Sequence, residues 1–184
     1  MFPAFLTERW WDTPTPLYRR SVTDAAGPWL SLRQEEDWEY DCRVAALGTR
    51  LVQVKDFVAE VRDHGDDRLS RGEPLDPVRC RARARAHAEV YGHARRAGIG
   101  PESPEMQRYA RELFLLARQC GAAGLSDESR RLFVLAREAS GPDRARGFDF
   151  RAYRAAASLF GWKVVGGLAC RVDGLRRGTG EPAL

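Results

Sequence analysis

Lysine is almost missing from this chain of 184 residues: Lys55 and Lys163 are its only two, and the formal net charge of +4 is carried by arginine. The arginines are spread along the sequence and interleaved with Asp and Glu. That spread does not build the clustered basic stripe of a nucleic-acid binder, so no nucleic-acid partner is expected. The four cysteines, Cys42, Cys80, Cys120 and Cys170, lie far apart with no CxxC pair. This excludes the usual zinc spacing and predicts buried thiols in a reducing compartment. No run of about 18 apolar residues occurs, so no transmembrane segment is expected. The apolar opening Met1–Leu6 gives way at Glu8-Arg9, too early for a signal peptide. Together these absences predict a cytoplasmic protein. Hydrophobic residues at 43% still permit a sizeable core, and the length suits one domain or a domain with an appendage.

What the chain does have is a dense acidic–aromatic stretch, Glu35-Glu36-Asp37-Trp38-Glu39-Tyr40-Asp41. Five carboxylates and two large rings stand in seven residues. Buried charge is costly unless it is paired. Two readings follow. The stretch is either an acidic first helical turn that complements the helix dipole, or the rim of a cleft where one carboxylate does chemistry. Asp37 and Asp41 are four apart and therefore on one side of a helix.

Around this stretch the pattern predicts the following. Residues 1–34 are irregular, broken by Pro14 and Pro16 next to the paired indoles Trp10 and Trp11. These indoles are either a hydrophobic plug or a platform on which a sugar stacks. A helix spans 35–48 and stops at Gly48. Leu51–Val54 and Phe57–Val61 alternate as two short strands around a Lys55-Asp56 turn. That alternation places Arg62 and His64 on one side at the strand end.

After Glu73–Pro77 the period changes to near 3.6. Val78, Ala82, Ala86 and Val90 line one helix face, with Arg79, Arg81, Arg83 and Arg85 outside it. Ser103-Pro104 starts a helix with the stripe Met106, Tyr109, Leu113, Leu116 and Cys120. Ser126 caps the next, which ends at Gly141-Pro142. The short joint at Gly124–Ser126 makes the two an αα-hairpin. A last helical region, from about 150 to 175, breaks at Gly161 or at Gly166-Gly167. The expected fold class is α+β and predominantly helical, with an α+β part over 1–72 and a helical accessory part over 76–184.

Several of these features occur in the order and spacing of a known family. The run Leu17-Tyr18-Arg19-Arg20-Ser21, then Gly27-Pro28-Trp29, Glu36-Asp37-Trp38-Glu39, Arg43, Gly48, the predicted strand Leu51–Val54 and Arg62-Asp63-His64 resembles the C-terminal, acceptor-side half of a family 2 glycosyltransferase domain. The resemblance covers residues 17–70. It implies part of a GT-A fold, containing the one helix and the short β-hairpin, and inverting transfer of a sugar from a nucleotide diphosphate to a hydroxyl acceptor. It nominates Asp37 as the general base with Glu36 beside it, Trp38 in the acceptor pocket, Arg62 against the leaving diphosphate, and His64 near the metal or diphosphate.

The family's first half, with its Asp-x-Asp metal motif, has no counterpart in this sequence. The Mg²⁺ or Mn²⁺ of the complete enzyme is therefore not expected on this chain alone, and the chain is expected to be a truncated transferase or one half of a split enzyme, partnered by a missing N-terminal half or another protein. Two rivals stand beside this reading. One is a non-catalytic helical module with an apolar groove on residues 104–140. The other is a binder of anionic surfaces, nucleic acid or lipid, through the Arg79–Arg85 face with Arg171, Arg176 and Arg177.

Overall fold

The structure, a computed structural model, describes residues 1–61 and 73–178, with side chains to residue 175. Its described residues form helices and no sheet. A short 3-10 turn, Ala4–Leu6, precedes α1 (Arg20–Ala26) and α2 (Glu36–Ala46). Then come α3 (Pro77–Arg96), α4 (Pro104–Ala122), α5 (Ser126–Ala139), the single turn α6 (Gly141–Arg144), α7 (Phe148–Phe160) and α8 (Trp162–Gly178).

The longer helices start where the chain supplies caps. The Asp76 carboxylate accepts from the backbone N–H groups of Val78 and Arg79, and Pro77 takes the first helical position. At α4 the Ser103 hydroxyl accepts from the backbone N–H of Met106, and Pro104 takes the first helical position. Both arrangements satisfy amides that have no partner inside the helix, and the prolines forgo an N–H that would otherwise be orphaned. Gly161, at φ 83°, separates α7 from α8. A side chain is strained in that left-handed region, so the break falls there rather than at Gly166-Gly167.

Helix α4 is the centre of the molecule. Met106, Tyr109, Leu113, Leu116 and Cys120 are all buried, as the predicted stripe requires. They meet Phe5 and Leu6 of the 3-10 turn, Cys42 and Ala45 of α2, Cys80, Val90 and Ala94 of α3, and Leu132, Phe133 and Ala136 of α5. Burying one leucine of this kind stabilises by about 1.5–3 kcal/mol. Phe114, Phe133, Phe150, Tyr153 and Trp162 form an aromatic cluster that joins α4, α5, α7 and α8, with centroids 4.9–6.0 Å apart. The thiols of Cys42, Cys80 and Cys120 are buried among these elements.

The predicted β-hairpin does not form. Residues 50–61 run without strand pairing, and Leu51, Val52, Val54, Phe57, Val58 and Val61 are exposed. The expectation of an α+β part built on a GT-A half with a hairpin is therefore overturned. Alternation of β-branched residues reports fitness for a half-buried pleated surface. No other strand among the described residues offers that surface, and a lone two-stranded hairpin is marginal in water. Four smaller predictions also shift. Residues 1–34 are not wholly irregular, because the turn Ala4–Leu6 and α1 form within them. Val78 is exposed in the first turn of α3. Ser126 is the first residue of α5 rather than its cap. Gly141-Pro142 begins the turn α6 instead of ending all helix.

Candidate functional site

The acidic stretch is the N-terminal half of α2, and its carboxylates are held one by one. Glu35 precedes the helix with φ 61° and ψ 17°, a left-handed conformation rare for a residue with a side chain. Its side chain compensates for the strain. One oxygen accepts from Arg83 Nε at 2.8 Å, and the other lies 3.1 Å from His87 Nε2. Arg83 also donates to Gln119 of α4. His87 stacks on Tyr109, with centroids 5.5 Å apart and planes within 2°.

Asp37 and Asp41 share one guanidinium. Arg9 Nη1 donates to Asp37 Oδ2 at 2.6 Å, and Arg9 Nε donates to Asp41 Oδ2 at 2.7 Å. The four-residue spacing brings both carboxylates to the same cation. Thr13 Oγ1 also donates to Asp37, whose Oδ1 accepts from the Trp38 backbone N–H at 2.7 Å. Asp41 lies deeper and takes the Trp11 indole N–H at 3.0 Å and the Tyr18 hydroxyl. The Asp41 side chain is 1% exposed, that of Asp37 24%.

Glu39 is fully buried between two helices. Arg43 donates to both of its oxygens, at 3.1 and 2.6 Å. His93 of α3 bonds Glu39 Oε1 through Nε2 at 2.7 Å, while its Nδ1 receives Arg96 at 2.6 Å. The donor at Nδ1 makes that nitrogen the acceptor and assigns the shared proton to Nε2. Arg43 reaches on to the carbonyls of Ala26 and Pro28, fastening the turn after α1. The Tyr40 ring stacks on Trp29 at 5.1 Å.

These pairs set the titration of the acidic groups. Burial by itself raises the Glu35 carboxyl, but His87 and Arg83 outweigh it and hold it at about 2, below the ordinary 4.5. Burial likewise opposes ionisation of Glu39, and His93 and Arg43 overcome it, so its pKa is lowered. Burial and the bond to Asp41 push the Tyr18 phenol up.

A depressed folded-state pKa stabilises above the unfolded value and is lost as pH falls through the folded one. The unfolding free energy is therefore expected to hold down to pH about 4.5 and then fall toward pH about 2. The contribution of Glu35 is about 2 kcal/mol once its partial exposure is allowed for. Urea unfolding of the wild type and of Glu35→Gln across this range checks it. The variant should be less stable near neutrality and lose less on acidification. Parallel curves would refute the assignment.

Among the residues nominated from sequence, Asp37 and Glu36 lie half-buried at the surface end of α2. Trp10 is 48% exposed, its indole edge-on to Phe5 at 4.9 Å. Trp11 packs on the same ring and is fixed by Asp41. Trp38 is wedged inward, donating to the Phe5 carbonyl at 2.8 Å and edge-on to His87 at 5.0 Å. Arg62 and His64 lie outside the described residues. Sequence reasoning missed Arg9, Thr13, His87 and His93. Arg9 stands next to Trp10 in an irregular segment, and nothing local marks it as the partner of carboxylates about thirty residues on.

Among the described residues, no group of three or more His, Cys, Asp or Glu side chains could share a metal ion. The carboxylates of Glu35, Asp37, Glu39 and Asp41 are already bound to arginine or histidine. These described residues do not fit the Mg²⁺ or Mn²⁺ that the resemblance implies for the complete enzyme. A separate open groove of about 690 Å³ lies between α3, α5 and α6, lined in part by Tyr91, Arg95, Pro101, Val134 and Arg137. No α2 residue lines it. No described helix is long and apolar enough to cross a membrane. No protein-family model, no curated protein and no solved structure matches this chain.

Proposed function

We propose that the exposed end of α2 is the acceptor site of a family 2 glycosyltransferase reaction, with Asp37 taking the proton from a sugar hydroxyl. The observation that carries the reading is the graded burial of the stretch. Glu39 and Asp41 are sealed and fix the helix, while Asp37 is both oriented and reachable. Arg9 and Thr13 hold its Oδ2, and Oδ1 is engaged only by a backbone N–H. A carboxylate oxygen has more than one lone-pair site, so Oδ1 retains acceptor capacity. Trp10 offers a half-exposed indole face in the same segment as Arg9 and Thr13, where a sugar's C–H face can stack.

In this reaction the acceptor hydroxyl passes its proton to Asp37 as its oxygen bonds to the anomeric carbon. The bond from that carbon to the diphosphate breaks, and the diphosphate leaves with the electron pair. The donor and the groups that receive the diphosphate would come from outside the described residues.

Titration with mono- and disaccharides, followed by tryptophan fluorescence and ligand-observed NMR, tests the site. Wild type should bind, and Asp37→Ala should bind roughly tenfold more weakly, the worth of one charge-assisted hydrogen bond. Helical content should not change. Sugars that bind both proteins equally, or neither, would remove the proposal. A second reading, a non-catalytic helical interaction module, is favoured by the groove between α3, α5 and α6. It expects no sugar binding.

A further inference from the structure

Helix α7 is apolar on two opposite sides. Phe150, Tyr153 and Ala157 face the core, at spacings of three and four. Phe148 and Leu159, with Ala152 and Ala155 between them, repeat at four, three and four and face away from it. At 3.6 residues per turn, the second set lies almost diametrically opposite the first. Phe148 is 86% exposed and Leu159 79%. Phe160, the last residue of α7, is also exposed, and beyond Gly161 Val164, Leu168 and Val172 stand at four-residue steps along the exposed side of α8. The inner side of α8 is already used by Val165 and by Gly166, which presses on α4.

The charges around this face are mostly positive. Arg151, Arg154, Lys163 and Arg171 are exposed beside the apolar residues. Asp149 is the only exposed acid among the described residues of the two helices. Asp173, the other acid, turns inward to Arg118 at 2.9 Å. Exposed phenylalanine and leucine bordered by arginine and lysine match a surface that is apolar inside and anionic outside. In that setting the rings enter the acyl boundary and the cations rest at the headgroups. A helical protein partner would bury the same apolar residues but gives no reason for the excess of cations.

We propose that the outer face of α7 and α8 docks on an anionic lipid surface. The site is distinct from the α2 end and does not depend on the role given to Asp37.

Flotation with vesicles tests it. Phosphatidylcholine vesicles containing phosphatidylglycerol should carry the protein, and added salt should release it. Pure phosphatidylcholine should bind it at least tenfold more weakly. Phe148→Ser combined with Leu159→Ser should abolish flotation. Arg151→Gln combined with Arg154→Gln should weaken it roughly thirtyfold, from the usual contribution of two surface cations. All four positions are exposed, so circular dichroism should show unchanged helix. The proposal is overturned if the wild type does not float with anionic vesicles, or if either double variant floats as the wild type does. It is also overturned if the wild type self-associates in sedimentation while the serine variant is monomeric, because the face then belongs to a second copy of this chain.

Discussion

Glu39→Ala is expected to lower the unfolding free energy by about 3–5 kcal/mol, the usual cost of removing one partner from a buried ion pair. The side chain is 1% exposed and bonds to Arg43 and His93, themselves mostly buried at 17% and 7%. Truncation leaves a guanidinium and an imidazole in an apolar interior without the group that balanced them. Arg43 would keep the carbonyls of Ala26 and Pro28, but neutral acceptors do not replace a carboxylate. His93 would keep only Arg96.

Glu39→Gln separates charge from shape. It preserves the volume and one oxygen acceptor, so its cost should be smaller, about 1–3 kcal/mol. Domains of this size have only about 5–15 kcal/mol of net stability, so the alanine variant should unfold at far lower urea. An alanine variant within about 1 kcal/mol of wild type would show that α2 is not anchored on α3 through this pair.

Where local spacing decides structure, the sequence was readable. The stripe from Met106 to Cys120 marks α4 because one buried helix face repeats at three and four. Ser103-Pro104 marks a helix start because the capping chemistry is contiguous, whereas the boundary at Glu73–Pro77 was legible only as a change of period and its Asp76 cap came with the structure. The four-residue step from Asp37 to Asp41 correctly put both carboxylates on one side. What that side faced was not readable. Arg9 reaches them from 28 and 32 residues away, across a segment whose prolines and tryptophans give no period.

The histidines were hidden for a different reason. They lie in a helix whose alternating arginines suggest a solvated face, yet α3 is small on many sides. Ala84, Ala86, Ala88 and Ala94 let it pack closely enough to bury His87 and His93. The error over residues 51–61 has the same origin. Alternation there states which residues could share a buried face, and only the rest of the fold decides whether that face exists.

The helix that carries the proposed lipid face is itself held by a close approach of two backbones, and this gives a prediction with opposite signs at adjacent positions. A Cβ on Gly166 would lie 2.7 Å from the Ala122 nitrogen and the Arg118 carbonyl oxygen, and 2.9 Å from the Gly121 carbonyl carbon. A Cβ on Gly121 would meet the Trp162 carbonyl oxygen at 2.6 Å. These are backbone atoms, which cannot rotate aside, so any side chain forces α8 off α4. Displacement would also disturb the Arg118–Asp173 pair and loosen Trp162 in the aromatic cluster.

Gly166→Val is therefore expected to destabilise by about 3 kcal/mol, the upper end of ordinary overpacking. Gly167, one residue on, has nothing within 4 Å of its would-be Cβ. Gly167→Ala should gain about 0.5–1 kcal/mol, because it removes the backbone freedom of a glycine inside a helix. For a chain of this length each kcal/mol moves Tm by about 2–4 °C, so the two variants should fall on opposite sides of the wild type in one thermal scan. If both raised Tm, helix propensity alone would govern α8 and the backbone contact would be absent. If both lowered it, the exposed side of Gly167 would be packed against something, and the outer face of α8 would not be open to a membrane.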